Sequence, residues 1–207
     1  SPTFLTTLGN LYQERDIKPE FEVFDLGMIR AVGVYWKKGI VKAPLHFQLC
    51  LGVVGGMNAE CADVEEMLAY IRRLQLHGEL PMEITWSAFG VGKGHIPVML
   101  SALANGGNIR VGMEDNVIYG KDEKGEKIFA TNKMLVERAV RITKAADKKI
   151  ATPAEARKIL GLKEFNREEQ LRELRAIRLE DFEVAKRKLR EELGGTYFEA
   201  KGMGEKK

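Results

Sequence analysis

A chain of 207 residues, 44% hydrophobic and 30% charged, carries enough apolar material for a sizeable core and is too apolar for a disordered protein. Its formal net charge of +3, with lysines and arginines interleaved among acids, supplies no basic stripe for nucleic acid. No apolar run approaches the roughly 20 residues that span a bilayer, the start lacks a signal-peptide pattern, and Cys50 and Cys61 lack CxxC spacing. The expectation is a cytoplasmic protein with neither a nucleic-acid nor a membrane partner.

The opening segment, Ser1 to Lys18, spaces Phe4, Leu5, Leu8, Leu11 and Tyr12 as one face of a helix. It reads as the helix of a βα unit whose strand would lie upstream. Four β-rich runs follow: Phe21 to Asp25, Leu45 to Val53, Ile84 to Phe89 and Asn108 to Met113. Helix-patterned runs over Met28 to Lys38, Val64 to Leu76, Ile96 to Ala104 and Lys133 to Ala146 come after them in turn. That alternation predicts an α/β fold with a mainly parallel sheet. Glycines gather after the strands, at Gly27, at Gly52, Gly55 and Gly56, and at Gly90, Gly92 and Gly94. In parallel α/β proteins this carboxyl edge is where ligands bind.

Candidate chemistry falls on that edge. In a regular strand Glu22 and Asp25 face opposite ways, so one can point to a site while the other anchors a loop. His46 lies within a strand, either a metal ligand or a hydrogen-bonded core residue, and His77 ends a helix where an imidazole suits the dipole. Trp86 is read as core in preference to a pocket wall. Gly92, Lys93 and Gly94 run into His95 at a helix amino terminus, a junction that offers backbone amides and one cation to an anion, or is a plain tight turn. No GxxxxGK[ST] phosphate loop and no GxSxG elbow occurs, and Ser87 lacks an ordered triad.

The run from Asn108 to Asn116 is the densest signal. Regular alternation puts Arg110, Gly112 and Glu114 on one face and Ile109, Val111 and Met113 on the other, and the run ends in the adjacent acids Glu114 and Asp115. A cation and an acid around a glycine make either a site or a surface ion pair.

Thr152-Pro153-Ala154-Glu155 is a capping box with proline at the first helical position, and its helix stops at Gly161. Beyond Leu162 the composition shifts, and Arg167 to Leu193 forms a charged amphipathic pattern read as a helix packed on its own body or a neighbouring subunit; Lys201 to Lys207 is expected to fray. The predicted division is residues 1–162 and residues 163–207.

Several of these stretches, in this order, closely resemble the β-keto acid cleavage enzyme family. They are Lys18 to Asp25, Leu45 to Gln48, Leu51 to Met57, Thr85 to Ser87, Gly90 to Gly92, Arg110 to Asn116 and Ala151 to Ala156. The resemblance covers residues 1–162. It implies a zinc-dependent TIM (β/α)8 barrel that condenses a β-keto acid with acetyl-CoA and splits the product into acetoacetate and a new acyl-CoA. It further implies that Glu114 is the carboxylate ligand of Zn2+, Asp115 an acid that handles or orients protons, and Arg110 a cation near reacting oxygens. Glu22 is the match for an acid selecting the substrate's polar tail, and Gly92 and Lys93 are assigned to acetyl-CoA. A homo-oligomer is expected.

The family's other zinc ligands come from a His-x-His pair near the barrel's start, and this sequence has none. Its four strands with their helices correspond to the second half, strands 5 to 8, of a barrel that takes ~250 residues, and a C-terminal helical extension follows it. A fragment of a longer polypeptide is the expectation, ahead of a chain that completes its barrel with another chain or by dimerising. The other readings are a metal-dependent TIM-barrel aldolase or lyase without CoA, and a non-catalytic half-barrel subunit. Taken alone, the 207-residue chain is expected not to hold zinc tightly, and stoichiometric zinc in elemental analysis of the isolated chain would contradict this.

Overall fold

Alternation of side chains along each strand decides how this sheet is dressed. In the computed structural model, which describes residues 1–163 together with residues 166, 168, 172, 184, 186–188 and 191, four strands pair in parallel. They are β1 (Glu20–Val23), β2 (Leu45–Leu51), β3 (Ile84–Gly90) and β4 (Asn108–Ile109), in the spatial order β1-β2-β3-β4. The connecting helices are α2 (Leu26–Lys37), α3 (Cys61–Leu76) and α4 (His95–Ala104). Every residue of β2 is buried. Leu45, Phe47, Leu49 and Leu51 enter one apolar cluster with Ile29 and Val32 of α2, Val64, Met67 and Ile71 of α3, and Val98 and Ala102 of α4. The intervening His46, Gln48 and Cys50 point to the opposite face, where the register sets Glu20 beside His46 and Thr85, and Glu22 beside Gln48, Ser87 and Asn108. One face is therefore apolar and covered by helices, the other polar.

Strands that neighbour one another in chain order, with their helices gathered on one face, wind in one direction as a barrel wall does; a doubly wound sheet reverses direction and carries helices on both faces. After β4 the chain forms a hairpin, β5 (Ile118–Lys121) and β6 (Lys127–Phe129), then α5 (Asn132–Ala145) and α6 (Pro153–Leu160). Residues 18–162 form one compact unit; residues 1–17 and those from 163 onward form another. In the second unit, α1 (Pro2–Glu14) begins at Ser1, whose side chain accepts from the Phe4 amide at 3.3 Å.

Most expected elements are present within a few residues of their predicted bounds. The capping box is formed as read, with Thr152 Oγ1 accepting from the Glu155 amide and Glu155 accepting from the Thr152 amide. Gly161 ends α6 at φ 64°, a left-handed conformation that suits glycine. Three expectations change. The strand expected over Leu45 to Val53 ends at Leu51, the strand expected over Asn108 to Met113 ends at Ile109, and the β5–β6 hairpin was not anticipated. The helix predicted over Arg167 to Leu193 and the tail from Lys201 fall outside the described residues except at the few positions named above. Among the described residues no helix is long and apolar enough to cross a membrane.

Close packing of α2 sets one sharp constraint. A Cβ on buried Gly33 would lie 2.5 Å from the Glu79 carbonyl oxygen, a backbone atom. Alanine ordinarily favours a helix over glycine by ~1 kcal/mol, yet here overpacking reverses the sign. Gly33→Ala is expected to destabilise the protein by ~1–3 kcal/mol, read as a lower urea midpoint; a rise in the midpoint would contradict the packing.

Candidate active site

Where β4 ends, the alternation that the sequence invited stops as well. β4 pairs with β3 through Asn108 and Ile109 alone, and the chain then turns on the Gly112 carbonyl, which accepts from the amides of Asp115 at 3.2 Å and Asn116 at 3.1 Å. Asn132 Oδ1, at the start of α5, accepts from the Met113 amide at 2.9 Å and holds the turn from the other side. Strand alternation would have sent Glu114 and Asp115 to opposite faces. The turn instead brings both onto Arg110.

The guanidinium is shared by three carboxylates. Its Nε and Nη2 donate to Asp115 Oδ2 and Oδ1 at 3.2 and 3.1 Å, a two-pronged pair. Nη2 also donates to Glu114 Oε2 at 2.8 Å, and Nη1 to Glu22 Oε1 at 2.9 Å. Beneath it lies Phe89, with the guanidinium carbon 4.4 Å from the ring centroid. Asp115 is buried, its side chain 6% exposed, while Arg110 is 27% and Glu114 83% exposed. Asp25 takes the other part foreseen for it: its Oδ1 accepts from the Met28 amide at 2.8 Å and caps α2. Glu22 and Asp25 thus divide site and anchor between them.

Burial pushes the Asp115 carboxyl above the ordinary aspartate range; the charge and hydrogen bonds of Arg110 pull it back, and Glu114 and Glu22 add repulsion. Burial also opposes the charge on Arg110, but Asp115, Glu22 and Glu114 outweigh it and raise its pKa. The two directions differ from those of a simple ion pair, in which the acid falls. With three acids on one cation, negative charge is in excess, and the most buried acid is where a proton is most readily held. The Cys50 thiol, pushed up to about 12 chiefly by burial, stays protonated near neutrality and supplies no thiolate.

On the polar face below, a cavity of about 500 Å³ is lined by Glu20, His46, Gln48, Ser87, Asn108 and Arg110 and flanked by Ile159 and Leu160 of α6. Ser87 Oγ donates to Gln48 Oε1 at 2.6 Å and lies 3.3 Å from His46 Nε2, whereas Gln48 Nε2 is buried with no partner among the described residues. His46 Nδ1 lies 2.8 Å from Thr85 Oγ1, and burial, with Lys18 adding, lowers its pKa. Its ring is buried and hydrogen-bonded, with Nε2 3.8 Å from Glu20 Oε2, and burial favours the neutral form. Trp86 packs partly buried against the apolar cluster.

Gly92–Gly94 forms a single 3-10 turn leading into α4, with Lys93 exposed. Gly94 is required by close approach, since a Cβ there would stand 2.1 Å from Ala59 Cβ and 2.4 Å from the Ala59 carbonyl oxygen. The His95 ring is held between Gly92 O, 2.8 Å from Nδ1, and Arg138 Nη2, which donates to Nε2 at 2.7 Å. Neither Arg138 nor Asn116 was singled out by the sequence. Asn116 Nδ2 donates to the Gly90 carbonyl at 3.0 Å and ties the turn carrying Asp115 to the end of β3. Its adjacency to Asp115 was a usable signal; Arg138, one basic residue among several in α5, offered none.

Among the described residues no group of three or more His, Cys, Asp or Glu side chains is arranged to hold a metal ion. Glu114 brings one exposed carboxylate already bonded to Arg110, and Glu22 and Asp115 are turned to the same guanidinium. These residues do not by themselves fit a zinc ion.

Residues 1–162 match the family model described as beta-keto acid cleavage enzyme. The chain is 40% identical over 159 residues to the 3-keto-5-aminohexanoate cleavage enzyme of Fusobacterium nucleatum, covering 77% of this chain and 53% of that protein. It is 31% identical over 162 residues to the 3-dehydrocarnitine:acetyl-CoA trimethylamine transferase of Rhizobium meliloti, covering 78% and 49%. Among solved structures, the ternary complex of ObcA with C4-CoA adduct and oxalate superimposes with a TM-score of 0.61 at 22% identity, over 78% of this chain and 41% of that one. The chain spans about half the length of the curated relatives it matches.

The Asp115 shift has a sign that can be tested. Folded Asp115 holds its proton to higher pH than an unfolded aspartate, so its contribution to stability is complete below the ordinary aspartate range and is lost as pH rises through the raised pKa. Arg110→Ala removes the groups that pull this pKa down, so the Asp115 carboxyl is expected to titrate higher still in a carboxyl carbon NMR titration. It should cost ~2–3 kcal/mol at pH 7, below the value for a fully buried pair because Arg110 is 27% exposed, and less at pH 4. An unchanged titration would contradict this account.

Proposed function

The chain belongs to the beta-keto acid cleavage enzyme family, and from that premise we propose that it forms the carboxyl-terminal half of a (β/α)8 barrel that cleaves a β-keto acid with acetyl-CoA. The sequential order of four parallel strands, with the polar face turned away from the helices, supports the half-barrel. Acetyl-CoA enters the reading through the name of the Rhizobium meliloti relative. The observation that carries the chemistry is the buried Asp115 carboxyl, pushed up in pKa and gripped on both oxygens by Arg110 at the carboxyl edge of the sheet.

The reaction is an acyl exchange. The bond between the acyl carbonyl and C2 of the β-keto acid breaks, the acyl group joins the CoA sulfur, and the acetyl group joins C2 to give acetoacetate. No oxidant or reductant is consumed. The C2 proton, acidified by carbonyls on either side, passes to Asp115 and is returned as the exchange completes. A base with a raised pKa suits that transfer, and Arg110 aims both carboxylate oxygens while its charge lies close to where the enolate oxygen develops. Glu22 holds Nη1 of Arg110 through one oxygen and leaves the other toward the substrate's polar tail. Glu114 is the one carboxylate of this chain proposed to face a metal, with its further ligands outside these residues, and no step is derived through that ion. Gly92 and Lys93, with the start of α4, are proposed to meet acetyl-CoA.

The test mixes a β-keto acid and acetyl-CoA with the full-length protein and follows acetoacetate and the new acyl-CoA by mass spectrometry. Asp115→Asn is expected to lower kcat by ~10²–10⁴-fold with little change in KM. Full activity in that variant, or no acyl-CoA formed by the parent protein, would overturn the reading.

A further inference from the structure

Two arginines of this chain are compensated in opposite ways. Arg110 has three carboxylates; Arg138, on α5, has none within ion-pair distance among the described residues. Its Nη1 donates to the Tyr119 carbonyl at 2.6 Å, its Nη2 to His95 Nε2 at 2.7 Å, and its guanidinium carbon stands 4.1 Å from the centroid of the Tyr119 ring. Its Nε is buried and has no partner among the described residues. Nearest in charge is another cation: Arg141, one helical turn further on, donates from Nη2 to Tyr119 Oη at 3.1 Å and likewise forms no ion pair among the described residues. Burial lowers the pKa of Arg138, Tyr119 opposes this and Arg141 adds to it.

Placing a half-buried cation beside a second cation is costly unless an anion joins them. The place is also telling. His95 opens α4 at the loop after β3, and Tyr119 lies on β5 just beyond the turn that carries Asp115. In barrels of this kind the loops after the last two strands often bind phosphate. Through His95, Arg138 also supports Gly92 O and hence the turn bearing Lys93.

We propose that Arg138 and Arg141, bracketing Tyr119 beside the Gly92–Gly94 turn, form a phosphate-recognising site that receives the phosphates of the CoA thioester. The proposal rests on the acetyl-CoA reading above for the identity of the phosphate bearer. The acyl end of the thioester would then lie toward Arg110 and Asp115, with the nucleotide end at α5.

Calorimetric titration of the intact protein with CoA and with phosphate-free pantetheine tests this without turnover. Arg138→Gln is expected to weaken CoA binding by ~10–100-fold and Arg141→Gln by ~5–10-fold, with pantetheine binding unchanged. Arg141 is exposed, so its variant keeps the test sound if Arg138→Gln fails to fold. In kinetics the same variants raise KM for acetyl-CoA and leave KM for the β-keto acid as it was. No CoA binding by the parent protein, equal CoA affinity in the variants, or equal losses for CoA and pantetheine would each overturn the site, the last marking Arg138 as a purely structural clamp. CoA binding that depends on both arginines, in a protein that forms no new acyl-CoA, would sustain this site and sink only the catalytic reading.

Discussion

A single guanidinium ties the first strand of the sheet to the turn after the last. Arg110 reaches Glu22, 88 residues earlier in the chain, while gripping Glu114 and Asp115 on its own turn. Glu22 and Glu114 are substantially exposed, and their pairing adds little to stability. Asp115 is different: a carboxylate 6% exposed is tolerable only with its partner in place or with a proton. The arrangement thus couples a long-range fold contact to the protonation state of one buried acid. Phe89 under the guanidinium and Asn116 on Gly90 hold that contact on rigid β3.

The polar face of the sheet is the second constraint. β2 is buried along its whole length, yet three of its seven side chains, His46, Gln48 and Cys50, are polar or sulfur-bearing, and the first two are connected through Ser87. Such a set is sound only when each member is satisfied. Gln48 Nε2 and Asn116 Oδ1 are buried without partners among the described residues, one a donor on the inner face and one an acceptor at the site. In the half-barrel proposed above, that face would be the interior.

Much of this was legible in the sequence because local rules and tertiary packing agree. Hydrophobic runs at βα spacing fixed the strands and helices, glycines marked the carboxyl edge, and Thr152 and Glu155 announced a helix start. The family resemblance singled out Arg110, Glu114, Asp115, Glu22, Gly92 and Lys93, and the first four share one set of hydrogen bonds. What misled was alternation: it holds while a ladder of hydrogen bonds enforces it, and β4 pairs with β3 over two residues only. Past Ile109 the Gly112 turn governs direction, so Asp115 joins Glu114 instead of opposing it. The β5–β6 hairpin was missed because its apolar content is low, although Gly125, at φ 83°, occupies a turn position that glycine suits. Arg138 could not have been picked out, since its meaning lies in what it contacts and not in what surrounds it in sequence.

One loop connects the two halves of the functional reading. The segment after β3 is held at Gly90 O by Asn116, beside Asp115, and at Gly92 O by His95, which Arg138 supports. Two carbonyls separated by one residue are therefore fixed by groups that belong to different clusters, one acidic and one basic. Glycine at both positions leaves no side chain to stiffen the segment, so these bonds set its shape. The Asp115 turn and the Arg138 cluster thus hold opposite ends of the same short loop.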